Sequence, residues 1–278
     1  MARDLREFFE RLVTQPDEAL DVAEAALWVA SIGRPDVDVD GALARLDALT
    51  ERAREHLAKH PEPGEQVLAL CDFLRNAEGF GGIDANYYVP ENSFLDVVLE
   101  ARSGIPIALG VIYIAVGRRL GLDIEGVNFP GRFLVRATLT DDAVLIVDPS
   151  EGVVLDEAAL RERVSKALGS DIELTSEHLT AASIRAIVMR MMNNLKVVCV
   201  HNGDPAAALG YCDWMVELVP DNPGELRDRA VLLEQIEAFE AAANDYEKVI
   251  ALVRDASARR KLRRHVRELR RRVPKTLH

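Results

Sequence analysis

An α+β fold follows from three features of this sequence. Apolar residues recur at spacings of three and four through the first 60 residues, the mark of amphipathic helices. Short β-branched and aromatic runs cluster between residues 124 and 147. From residue 183 the helical pattern returns and repeats after 34 residues. The expected organisation is a helical N-terminal region (1–62), a core with a small antiparallel sheet (63–180), and an all-helical C-terminal part (183–278).

Leu20, Ala23, Ala26, Leu27 and Ala30 line one helical face until Gly33-Arg34-Pro35 breaks it. Leu43, Leu46, Leu49 and Ala53 line the next, and Pro61–Gly64 closes that unit. A third helix is predicted over about Glu65 to Ala77, with Val67, Leu70, Cys71 and Leu74 on one face. The stretch Gly79–Asn92 is rich in Gly, Asn, Tyr and Pro without periodicity, so a loop is expected. Ser93 followed by Asp96 reads as a capping box for a helix carrying Leu95, Val98 and Leu99. Gly104 is expected to end that helix, and Pro106 to open the next one, which runs to about Leu120. Strands are predicted at Ile124–Asn128, Phe133–Leu139 and Val144–Val147, divided by Pro130-Gly131 and Asp141-Asp142. The α+β region is expected to close near residue 155.

In the C-terminal part, Leu218-Val219 matches Leu252-Val253 at a spacing of 34, as do Ala208 with Ala242 and Val216 with Ile250. Helix pairs at 183–201 with 204–219 and at 224–236 with 238–253 give the tetratricopeptide period. A helix from Ala256 to Val273 follows, with Leu262, Val266, Leu269 and Val273 as a narrow apolar stripe that suits a capping role.

The charge distribution excludes some functions. Across 278 residues the formal net charge is −12. Arg254–Lys275 holds eleven Lys/Arg against two acids, a net +9, which leaves −21 for the rest. Such a body disfavours nucleic-acid binding, because phosphates must be neutralised by Lys and Arg. Weak contact through the basic tail (Arg259, Arg260, Arg263, Arg264, Arg267, Arg271) is the exception allowed. The longest uncharged apolar run, Gly104–Gly117, is 14 residues and contains Pro106, short of the roughly 20 that span a membrane. Met1–Glu10 lacks the apolar segment of a secretion signal, and three cysteines without paired spacing suit a reducing compartment. No membrane association and a cytoplasmic location are expected. Cys71, Cys199 and Cys212 read as core residues. His56 and His60 have a metal-compatible spacing but no third ligand nearby, and Gly79-Phe80-Gly81-Gly82 lacks the lysine and context of a phosphate loop. Neither a metal nor a cofactor is expected.

The runs Asn92-Ser93-Phe94-Leu95, Arg102-Ser103-Gly104-Ile105-Pro106-Ile107, Arg119-Leu120-Gly121-Leu122, Gly126–Arg136 and Asp148-Pro149 closely resemble the bacterial SirB-type proteins. That family joins a transglutaminase-like domain, papain-related in fold, to C-terminal tetratricopeptide repeats. The resemblance implies where a catalytic triad would lie. Active transglutaminase relatives use a Cys at the N-terminus of a buried helix, a His on a following strand and an Asp on the next. Carried over by position, these become Pro106, Arg132 and Asp148. SirB-type proteins generally share the Pro and usually keep the His. Proline offers no nucleophile and arginine accepts no proton near neutral pH. No His or Cys lies between Cys71 and His178 to replace them.

Arg132 beside Asp148 is expected to brace the cleft as an ion pair, in preference to offering a bidentate fork to a ligand. Arg102 and Arg136 are further binding candidates, each weighed against ordinary pairing. Tyr87, Tyr88 and Asn92 are candidates because recognition residues concentrate in loops. The functional expectation is a catalytically inactive, protein-binding regulatory adaptor whose partner is taken by the repeats. The alternative is an enzyme of unconventional chemistry, an amide hydrolase or transferase, using the retained cleft around Asp148 and Arg132.

Overall fold

A computed structural model describes residues 5–83, 88–139, 143–169 and 172–273. The chain divides into two compact units between Met191 and Met192.

The first unit opens with α1 (Leu5–Thr14), α2 (Val22–Gly33) and α3 (Val39–Leu57). Asp21 caps α2 by accepting hydrogen bonds from the Ala23 and Glu24 amides, and Asp38 caps α3 through the Gly41 amide. Residues Val22 to Ala30 of α2 are all buried, a wider face than the sequence stripe indicated. The helix α4 (Pro63–Asp72) passes directly into a π-helical turn, Phe73–Ala77. That wide turn replaces the last α-helical turn expected there, and the Glu78 amide donates to the Phe73 carbonyl at 2.9 Å.

Three corrections follow. The Gly79–Asn92 loop contains a strand, β1 (Gly81–Gly82), which pairs in parallel with β2 (Ser103–Gly104). The helix α5 (Leu95–Ala101) is not capped by Ser93. Its N-cap is Phe94, whose ring is buried, while Ser93 sits in a 3-10 turn (Pro90–Ser93) and Asp96 accepts a hydrogen bond from Arg34 at 2.8 Å. Burying an aromatic ring outweighs a cap that contributes about 1 kcal/mol. Nor does Gly104 terminate α5. Arg102 does, in the left-handed conformation (φ 59°).

The centre of the unit is α6 (Pro106–Arg119), buried from Ile107 to Gly117. It contacts α2 and α3 as well as β3 (Asp123–Val127) and β4 (Leu134–Thr138). A five-stranded antiparallel sheet is completed by β5 (Val144–Asp148), β6 (Val153–Leu155) and β7 (Ala181–Ala182), in the order β6-β5-β4-β3-β7. The unit therefore does not close at residue 155. It continues through β6 into α7 (Glu157–Leu168), capped by Asp156 and packed through Leu160 and Val164 on Leu134 and Ile146.

Unit boundaries divide α8 (Ile184–His201). The second unit contains α9 (Pro205–Leu218), α10 (Pro223–Gln235), α11 (Phe239–Leu252) and α12 (Ala256–Arg272). Asp204 with Pro205, and Asn222 with Pro223, form the reversals: each side chain accepts from amides of the first turn, and each proline occupies a position with no amide to satisfy. Ala230, Phe239, Ala242, Ala243, Tyr246, Ile250, Val266 and Leu269 make one core cluster. The apolar stripe of α12 thus lies on α11, where Val266 and Leu269 contribute about 1.5–3 kcal/mol each by burial. Arg229 grips the buried Asp245 with two hydrogen bonds of 2.7 and 2.8 Å, linking α10 to α11.

Candidate functional site

The site is built around Asp148 at the end of β5, the one carboxylate with no exposed surface among the described residues. Burial of a carboxylate demands partners, and the chain supplies them from three directions. The Ser150 amide donates to Oδ1 at 3.0 Å. Arg163 of α7 donates through a terminal guanidinium nitrogen to Oδ2 at 3.0 Å. Arg132 Nε lies 2.8 Å from the same Oδ2. Its N–H is not aimed at the oxygen, so this contact is charge pairing without a directed hydrogen bond. Glu151 then joins both arginines, at 3.0 Å from Arg163 and 3.5 Å from Arg132. Two cations and two anions form a closed, formally neutral quartet.

Local sequence sets each member. Pro130 and Gly131 make a turn in which the Arg132 amide donates to the Phe129 carbonyl at 3.1 Å, and Gly131 adopts φ 70°. That is the residue pattern of a type II turn, and it delivers Arg132 next to β4. Phe133 anchors the turn. A Cβ at Gly110 of α6 or at Gly126 of β3 would stand 2.5 Å from its ring, so the two glycines are what admit it. After Asp148 the chain turns back, with the Gly152 amide donating to the Asp148 carbonyl at 2.8 Å. Arg163 arrives because Leu160 and Val164 bury α7 one turn apart and place the intervening arginine beside β5.

Pro106 occupies the first turn of α6, behind Ile105, whose amide donates to the Asn92 carbonyl at 2.9 Å. Asn92 is thereby tied into the start of the helix. Tyr88 is exposed, and Tyr87 lies outside the described residues. Arg102 pairs with Glu78 at 2.9 Å and stacks on Phe80 at 4.6 Å, so it braces the turn after α4. Glu78 also accepts two hydrogen bonds from Arg52. Those bonds hold its carboxyl below the usual range against the opposing effect of burial, with Arg102 adding to the same lowering. Arg136 reaches Glu125, its cross-strand neighbour, at 3.7 Å and the Leu179 carbonyl at 3.4 Å.

Sequence reasoning missed Arg163, Glu151 and Ser150. A signal existed for the first of these: Asp156 as an N-cap, Leu160 and Val164 four apart, and Gly169 beyond the end describe a helix. It also missed two buried hydroxyls, Tyr113 Oη and Ser150 Oγ, which have no hydrogen-bond partner among the described residues. Burial raises the Tyr113 pKa, so this phenol is neutral.

No other chemistry gathers here. Burial pushes the Cys71 and Cys212 thiols up to about 12 and raises Cys199 as well, which makes all three poor nucleophiles. His56 stands 3.3 Å from Asp72, and no group of three metal-ligating side chains occurs among the described residues. No described helix is long and apolar enough to cross a membrane.

Comparison with known proteins agrees with this architecture. A transglutaminase-like superfamily model matches residues 40–193, and a tetratricopeptide-repeat model matches residues 195–267. A UPF0162 protein of Xylella fastidiosa (strain 9a5c) is 35% identical over 249 residues, covering 87% of each chain. UPF0162 protein PA3419 of Pseudomonas aeruginosa is 31% identical over 255 residues, covering 92% of this chain and 93% of its own. A UPF0162 protein of Vibrio cholerae is 26% identical over 233 residues, covering 84% and 86%.

Proposed function

The chain belongs to the UPF0162 family of transglutaminase-like proteins with tetratricopeptide repeats, and from that premise we propose that it is a protein-binding adaptor whose core performs no thiol chemistry. One observation carries the reading. Asp148, at the position that orients a catalytic imidazole in active relatives, is fully buried and engaged by Arg132, Arg163 and the Ser150 amide. A carboxylate held this way is a structural charge, with both oxygens committed. Pro106, at the nucleophile position, has nothing to activate.

Binding is assigned to the repeats. Repeat arrays present the matching faces of successive helices as one extended surface. In this chain Val197 of α8 and Val231 of α10 occupy equivalent positions 34 residues apart, and both stay exposed, at 44% and 42%. Val200 extends that face by one helical turn at 47% exposure. Exposed β-branched residues repeated at equivalent positions suit the apolar anchors of a bound helix or peptide.

The test compares the full chain with V197E/V231E. Both positions are exposed, so the variant should keep the parental melting temperature. Affinity capture from the cells that make the protein, confirmed by reciprocal capture, should recover a partner with the parent and at least tenfold less with the variant. Turnover of an amide substrate by the purified parent, with no partner recovered, overturns the proposal.

A further inference from the structure

We propose that the outward face of α12 is a second contact surface, built for an acidic protein segment of about one helix length. This inference rests on the protein-binding reading above and names a partner chemistry for a different face of the same unit.

The geometry is a cationic stripe fixed on a docked helix. Leu262, Val266, Leu269 and Val273 face the core cluster of α11, and the remaining circumference of α12 is almost wholly basic. At 100° per residue, Arg260, Arg264, Arg267 and Arg271 fall together on the side opposite that apolar seam, with Arg263 at its margin. All five are exposed. They span about 16 Å at 1.5 Å per residue. Of the helix's basic side chains, Arg270 pairs with Glu247 at 2.9 Å and Arg272 stacks on Phe239 at 4.0 Å, so these two fasten the helix to α11. His265 does the same for α10, 2.8 Å from Glu234. Arg264 is 3.8 Å from Glu268 on its own helix. Among the described residues, Arg260, Arg263, Arg267 and Arg271 have no acidic partner within ion-pair distance.

Two features select the ligand. The stripe is arginine almost throughout, and a planar guanidinium offers paired donors matched to a carboxylate or phosphate. Its length matches a few turns of helix with carboxylates at i, i+4, i+7 and i+11, each meeting one arginine. A long polyanion fits less well. From Met192 to Val253 the repeats carry eleven acids against four bases, so a nucleic acid extending past α12 meets repulsion there. The short acidic segment avoids that cost.

The probe is a fluorescein-labelled 15-residue helical peptide bearing Glu at those four positions, read by anisotropy with the full chain. Binding in 50 mM salt should weaken at least tenfold in R260E/R267E/R271E and at least tenfold on raising salt to 500 mM. R45E/K59E/K166E, which changes net charge equally at exposed sites elsewhere, should bind like the parent. V197E/V231E should also bind this peptide normally, so loss of the repeat-face partner and loss of the stripe are separate results. Circular dichroism establishes that each variant is folded. The proposal is overturned if the peptide fails to bind in 50 mM salt, if the stripe reversal leaves affinity unchanged, or if a single-stranded RNA of equal charge binds more tightly. It is also overturned if sedimentation shows that the stripe instead pairs one copy of the chain with another.

Discussion

Arg163 donates a 3.0 Å hydrogen bond to Asp148 across 15 residues, from a helix whose two buried residues, Leu160 and Val164, flank the arginine. This bond, together with Arg132, makes Asp148 the centre of a buried ionic brace. Its energetics follow from the burial of the carboxylate alone. Arg132 and Arg163 keep some contact with solvent, whereas Asp148 keeps none.

Removing one arginine should leave the other to neutralise Asp148. Arg163→Ala or Arg132→Ala is therefore expected to cost about 1–3 kcal/mol. R132A/R163A strands a buried charge and should cost about 3–5 kcal/mol, the regime of a broken buried ion pair. Urea denaturation of the three variants checks both the magnitudes and the coupling between the two sites.

Phe133 sets where Arg132 emerges, and Gly110 and Gly126 make the space for its ring. Gly110→Ala puts a methyl 2.5 Å from two ring carbons and should destabilise by about 1–3 kcal/mol. Pairing it with Phe133→Leu should recover part of that loss in thermal melts. No recovery would show that the ring is not the obstacle.

The Glu78 carboxyl is held below its usual value of 4.5, chiefly by hydrogen bonds from Arg52. A group with a depressed folded pKa adds stability that is complete above the unfolded value and disappears as pH falls through the folded one. The melting temperature should therefore decline below about pH 4.5, and Glu78→Gln should remove its share of that decline while lowering stability at pH 7. Parallel melting curves for parent and variant across this range would contradict the assignment.

Cys71 and Cys212, both pushed up to about 12, and Cys199, also raised, should be almost entirely protonated at pH 8. An aromatic disulfide reagent should modify the native chain slowly and all three thiols rapidly after denaturation. Rapid modification of one native thiol would reveal a reactive cysteine and reopen thiol chemistry.

Much of this was legible in the sequence, for identifiable reasons. The repeat helices declare themselves because Ala208, Val216 and Leu218-Val219 find matches 34 residues on, at Ala242, Ile250 and Leu252-Val253. The buried helix at Pro106 and the strands after it follow from an uncharged apolar run and from turn residues between β-rich stretches. The Arg132–Asp148 pairing was expected from charge and position, and the two side chains do lie 2.8 Å apart. Long-range effects stayed hidden. The β1–β2 pair is two residues on each side, too short for propensity to register, and forms because Gly82 and Gly104 allow close approach to Ser150 and to Val98. Ser93 looks like a cap until the burial of Phe94 is known. Arg163 belongs to a helix with only two buried residues, a weak periodic signal whose consequence depends on tertiary packing.

The central claim is that this core holds charge in place and turns nothing over. It is tested most directly by incubating the purified full chain with a glutamine-containing protein and a primary amine, and measuring ammonia release beside Asp148→Asn. The account predicts no release above the protein-free control from either protein, with Asp148→Asn altered only in stability. Release by the parent that is abolished in a folded Asp148→Asn would contradict it.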